Sequence, residues 1–112
     1  MKNKLAGGIL YTAESPGRWG KKVNSHLPIM AKLSDGNKLK VVTAHPVEKY
    51  VHYIVKHVLL DKDFNFVAEN MFDPLKDKTP QSEFDIGEHK GVLYAMSVCN
   101  KHDTWINSIV IK

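Results

Sequence analysis

The sequence predicts an all-β fold, a two-layer sandwich of about seven strands, and three observations carry that prediction. From Leu27 onward, short apolar runs rich in β-branched residues alternate with turn signals. No stretch shows the 3.6-residue period of an amphipathic helix. No repeat or low-complexity tract breaks the rhythm.

The elements follow in order. His26 to Leu33 reads as the first strand and meets Ser34-Asp35-Gly36-Asn37; Leu39 to Ala44 then follows at hairpin distance, as Asp-Gly turns predict. Tyr53 to Leu60 ends at Asp61-Lys62-Asp63, and Phe64 to Phe72 forms the next strand. Asp73 to Gln81 holds Pro74 and Pro80 and must be an irregular connection. Glu83 to Ile86, Gly91 to Val98 and Trp105 to Ile111 complete the count, with Gly87 and Gly91 bracketing a turn that contains His89. Residues 1–18 lie outside this pattern, and Ser15-Pro16-Gly17-Arg18 reads as a turn. They are expected to form an N-terminal arm or lead-in loop to a domain spanning residues 19–112.

At 112 residues the chain is long enough for one hydrophobic core without disulfide support, and its single cysteine cannot form an internal bridge. The apolar stretch near Met1 is too short for a signal-peptide core, and no run approaches membrane-spanning length. A soluble cytoplasmic protein is the expectation. The net charge of +4 comes from scattered lysines. Nucleic-acid binders show a basic stripe interleaved with aromatics or a recognised module, and neither is present. The positive field has a second reading, since it would raise the encounter rate of a small anion with an open site.

The chemistry concentrates in three short segments. The lone cysteine stands in Cys99-Asn100-Lys101-His102-Asp103-Thr104-Trp105, with a histidine three residues on. Two histidines occur in His45-Pro46-Val47-Glu48-Lys49-Tyr50-Val51-His52-Tyr53-Ile54, and another in His26-Leu27-Pro28-Ile29. One thiolate with several neutral imidazoles suits iron, copper or zinc and does not suit calcium or magnesium. A lone cysteine also reads as a small buried hydrophobe. His45 and His52 bound one inter-strand loop and Cys99 to His102 span another. Loops at one end of a sandwich are where strands hold such side chains rigidly.

Taken together and in order, these segments resemble the superoxide reductases, the family of neelaredoxin and of the iron-binding domain of desulfoferrodoxin. The likeness runs from about Trp19 to Ile111 and includes the flanking Pro28, Pro46, Tyr53, Ile54, Asn100 and Trp105. It implies an immunoglobulin-like β-sandwich with its metal site in loops at one end. The implied centre is mononuclear non-haem iron, with four imidazoles from His26, His45, His52 and His102 and an axial Cys99 thiolate. The implied reaction is the one-electron reduction of superoxide to hydrogen peroxide. With no second cysteine cluster, the electron must come from an external, rubredoxin-like donor. A homo-oligomer, dimer or tetramer, is expected, with no nucleic-acid or membrane partner.

Three departures from the family pattern stand out. Asn24 and Ser25 occupy the positions of a Glu-Lys pair that caps the oxidised iron and helps attract and protonate substrate. The separation of His45 and His52 is seven, one more than the resemblance leads one to expect. Asp103 replaces a glycine. Glu14 is a carboxylate that could take the missing glutamate's place, and Lys21, Lys22 or Lys49 could take that of the lysine. His57, five positions after His52, should face the other side of a shared strand, and with His89 is expected to be packed or solvated rather than ligating. Trp105 could shield the sulfur side of the iron or be an ordinary core residue. Three alternatives remain: a non-catalytic iron electron-transfer or metal-binding protein of the same fold, a structural zinc site in an immunoglobulin-like sandwich, and a cysteine hydrolase. Closed zinc sites use four ligands rather than five. Nothing marks an oxyanion hole for the hydrolase.

Overall fold

Leu39, Val41 and Thr43 are buried at every second position, as are Leu93, Ala95, Ser97 and Cys99, while the residues between them are more open. That period of two belongs to strands with one face turned inward. In this computed structural model, which describes residues 10–14, 23–34, 36–45, 52–100 and 104–112, the strands form two sheets. The larger has the order β1 (Leu10–Tyr11), β8 (Thr104–Ile111), β7 (Gly91–Cys99), β4 (Ile54–Leu60), β5 (Phe66–Met71). The smaller has the order β2 (Ile29–Lys32), β3 (Lys38–Val42), β6 (Gln81–Asp85). The seven expected strands are β2 to β8, and the expected β2–β3 hairpin forms, with Gly36 supplying a φ of 69° in its turn.

Two elements were not expected. β1 pairs in parallel with β8, Tyr11 opposite Trp105; at two residues it is too short to show a period. The segment read as a strand from His26 instead opens with a single helical turn, α1 (Val23–His26), closed by the Leu27 N–H bond to the Val23 carbonyl at 3.0 Å. The buried Pro28 explains the stop, because the residue before a proline is driven from helical to extended backbone.

The core lies between the sheets. Leu39, Val41 and Phe84 from the smaller sheet meet Leu59, Leu93, Ala95 and Ile111 from the larger. Leu39, Leu59 and Leu93 are wholly inaccessible, each worth about 1.5–3 kcal/mol of burial. Along two facing strands the inward row then changes character in step. Leu39-Val41 continues to Thr43 and His45, and Leu93-Ala95 continues to Ser97 and Cys99. Three layers result: apolar, hydroxyl-bearing, and metal-ligand in type. At the large sheet's edge, β5 leaves Phe66, Val67 and Met71 exposed.

Candidate metal centre

Each candidate ligand is placed by a local device. The His45 N–H bonds the Thr43 carbonyl at 2.8 Å, a tight turn at Ala44 that keeps the ring on the inward row just past β3. His52 precedes β4 and is tied to the end of β7 through Asn100. The Asn100 side-chain oxygen accepts from the Tyr53 N–H at 3.0 Å, and the Asn100 N–H donates to the Tyr53 carbonyl at 3.2 Å. Asn100 therefore fixes Cys99 beside the histidine segment. His26 ends α1, with Ser25 Oγ 2.8 Å from its Nδ1. The Asn107 amide holds the Pro28 carbonyl at 2.9 Å, anchoring the following chain to β8.

These devices gather four of the five expected ligands. One ligand atom each from His26, His45, His52 and Cys99 lies within 4.8 Å of all the others. His45 Nε2 is 3.2 Å from His52 Nε2 and 3.9 Å from Cys99 Sγ. His26, His45 and Cys99 are buried, and His52 is half-buried. His102, the fifth expected ligand, and the alternatives Lys21, Lys22 and Lys49 lie outside the described residues.

The rings report the geometry such a site would impose. Centroids of His26 and His45 are 4.5 Å apart, as are those of His45 and His52, while His26 and His52 are 6.3 Å apart. That is a right-angled triangle with His45 at the corner. With metal–nitrogen bonds of about 2.1 Å, imidazoles at adjacent corners of a square have centroids about 4.5 Å apart and at opposite corners about 6.4 Å, whereas tetrahedral corners give about 5.2 Å for every pair. The three imidazoles fit three corners of a square and do not fit a tetrahedron. The mixed nitrogen and sulfur donors suit a transition metal.

Other residues take different places. Trp105 is wholly buried, 6.0 Å from His26 and 5.5 Å from Tyr11 between ring centroids, so it backs an imidazole as a core residue. Glu14 is exposed and lines a small hollow with Thr12, Tyr94, Ile106 and Ser108. Glu14 is not among the residues that gather at the cluster. His89 is half-buried in its turn, its Nε2 3.3 Å from the Val92 carbonyl.

His57 stays out of the cluster, as expected, but not for the expected reason. The register of β4 against β7 shifts between Ile54 and Lys56, and this irregularity cancels the odd spacing. Both rings reach toward the chain that continues β3: His52 to His45, and His57 to Thr43. His57 is wholly buried, and burial pushes its imidazole down to about 4. Its Nε2 is 2.8 Å from Thr43 Oγ1 and its Nδ1 is 2.8 Å from Ser82 Oγ. Thr43 Oγ1 is 3.1 Å from Ser97 Oγ, and the Asn70 amide donates to Ser82 Oγ at 3.0 Å. The residue types give no direct sign of this network; the available signal was that Thr43, Ser82 and Ser97 sit in phase with Val41, Phe84 and Ala95 on inward rows.

The profile of the desulfoferrodoxin family matches residues 19–108. No curated protein matched the chain by sequence. Among solved structures, a variant of the superoxide reductase (neelaredoxin) from Ignicoccus hospitalis is similar with a TM-score of 0.77 and 25% identity, over 100% of this chain and 98% of that one. The superoxide reductase (1Fe-SOR) from Giardia intestinalis is similar with a TM-score of 0.63 and 26% identity, over 79% of this chain and 99% of that one. The neelaredoxin of Archaeoglobus fulgidus, at 22% identity and a TM-score of 0.65 over 80% of this chain and 91% of that one, shares the fold. With the profile spanning most of the sequence and the histidine–cysteine cluster lying inside it, the chain belongs to the desulfoferrodoxin family, that of the superoxide reductases.

Proposed function

We propose that the protein is a superoxide reductase, carrying out the one-electron reduction of superoxide to hydrogen peroxide at a mononuclear non-haem iron held by His26, His45, His52, His102 and Cys99. The observation that carries the proposal is the right-angled arrangement of three imidazoles beside a buried cysteine. Ferrous iron, when bound, supplies the electron. The Cys99 thiolate is the soft donor whose basicity and burial tune that potential. His26, His45 and His52 would supply imidazoles beside it, and His102 is the proposed fourth. Ser25, with its hydroxyl on His26 Nδ1, orients a ligand and does not supply the charge of the family lysine. The net charge of +4 favours approach of an anion.

Residues 19–112 would form the iron-binding unit, with residues 1–18 as its lead-in. Reduction without dismutation requires an outside electron, for which a rubredoxin-like protein is the proposed donor. The exposed apolar side chains of β5 support a homo-oligomer. Among the described residues no helix is long and apolar enough to cross a membrane, and the cytoplasm is the proposed compartment.

Purified reduced protein should consume superoxide rapidly with stoichiometric loss of its own reducing equivalents and without evolving oxygen. Stopped-flow mixing with superoxide, alongside iron analysis, tests this. Iron that is present but inert toward superoxide would favour the second reading, a non-catalytic iron electron-transfer protein, for which the neutral Asn24 and Ser25 at the Glu-Lys positions are the supporting observation.

A further inference from the structure

Directly beneath the candidate ligands, the two sheets are pinned together by hydrogen bonds rather than by apolar contact. His57 of β4 and Asn70 of β5 belong to the large sheet, and so does Ser97 of β7. Ser82 belongs to β6 of the small sheet, and Thr43 continues β3 beside it, its N–H on the Pro80 carbonyl at 3.0 Å. Every link in the network crosses between sheets: Asn70 to Ser82, Ser82 to His57, His57 to Thr43, and Thr43 to Ser97.

The donors and acceptors close in one direction. With the Asn70 amide donating to Ser82 Oγ and Thr43 Oγ1–H to Ser97 Oγ, the two contacts of His57 are both satisfied when Ser82 Oγ–H goes to Nδ1 and Nε2–H to Thr43 Oγ1. A neutral imidazole protonated at Nε2 is the ring state that satisfies both neighbours. An aliphatic side chain in its place would leave two buried hydroxyls short of a partner, at the cost of an unmade bond to each.

This layer stands two residues below a ligand on each side. Thr43 leads to His45 from the small sheet, and Ser97 leads to Cys99 from the large one, so the layer lies under the pair formed by His45 Nε2 and Cys99 Sγ, 3.9 Å apart. We propose that His57 is a positioning residue of the metal centre, holding Thr43 and Ser82 against the large sheet and so fixing the separation of His45 from Cys99. The inference rests on reading the cluster as a metal centre.

Cobalt(II) titration of metal-free protein tests it, because a thiolate-to-cobalt charge-transfer band reports the sulfur's placement independently of turnover. The near-isosteric Thr43→Val and the more disruptive His57→Leu should each weaken cobalt affinity by about tenfold or more, the scale of lost outer-shell partners, and shift the band. His57→Gln, which keeps a donor and an acceptor, should recover most of both. Leu93→Ala serves as the control, a core cavity expected to lower melting temperature while leaving band and affinity unchanged. Should Thr43→Val and His57→Leu bind cobalt like the parent protein with an unshifted band, or should Leu93→Ala produce the same losses, the positioning role is overturned. Parent protein that gives no thiolate band overturns the metal-centre reading itself, and this one with it.

Discussion

Ser25 Oγ lies 2.8 Å from His26 Nδ1, which leaves Nε2 as the nitrogen available to a metal. The side chain standing where the family carries a lysine thus contacts a candidate ligand. Ser25→Ala should cost about tenfold in metal affinity, the lower end of outer-shell effects, with little change in melting temperature because α1 is a single turn and residue 25 is only half-buried. Competition with a chelator of known affinity measures the loss. Unchanged affinity would show that the bond does not hold the ring.

Cys99→Ser should abolish the thiolate-to-iron charge-transfer band of the oxidised protein and nearly all superoxide consumption, since a serine oxygen cannot replace the soft donor. The fold should survive, because Cys99 ends β7 beyond the apolar layer. Visible absorption and circular dichroism decide the two points separately.

His52→Gln should lower bound iron severely, whereas His57→Gln should leave it nearly intact. The two rings occupy different layers, His52 beside His45 and His57 beside Thr43. Metal analysis of both variants checks this, and equal losses would overturn the separation of the two rings into a ligand layer and a supporting one.

Asn24 is exposed, two residues before His26, and its carboxamide cannot supply an anionic oxygen. The ferric protein should therefore bind azide readily. Asn24→Glu should weaken that binding and shift the visible spectrum, while superoxide reduction by the ferrous protein changes little. Azide titrations of the two proteins test it; equal affinities would show that residue 24 does not reach the iron.

The buried His57 predicts an acid-labile fold. Its imidazole is held down at about 4, against an ordinary 6.5, by desolvation. Protonation then favours the unfolded chain, so the neutral ring's contribution is whole above about 6.5 and is lost as pH falls toward 4. At about 1.4 kcal/mol per pH unit, metal-free protein should lose ~2 kcal/mol through this group between pH 7.5 and pH 5. Urea unfolding at both values should show a steeper loss for the parent than for His57→Gln. Parallel losses would mean that His57 does not sit neutral in the core.

Strands β2 to β8 were legible because turn residues and β-branched runs mark each of them, and the gathering of His26, His45, His52 and Cys99 was legible because these residues stand in three short motifs. The single turn α1 was hidden, since four residues are too few to show a period and His26 looks like a strand opening. The inward turn of His57 was hidden by the irregularity near Val55, which no residue type announces: strand alternation assumes an unbroken count. The hydroxyl layer was hidden because Thr43, Ser82 and Ser97 are unremarkable singly and acquire meaning only when the two sheets face each other.

Trp105 adds an optical consequence. The indole is sealed from water and its ring centre is 6.0 Å from that of His26, well within range for its emission to be quenched by an iron–thiolate chromophore. Only one other tryptophan, Trp19, contributes to the signal. If the site takes iron as proposed, intrinsic fluorescence should give a label-free measure of metal occupancy and of the rate at which metal is gained or lost.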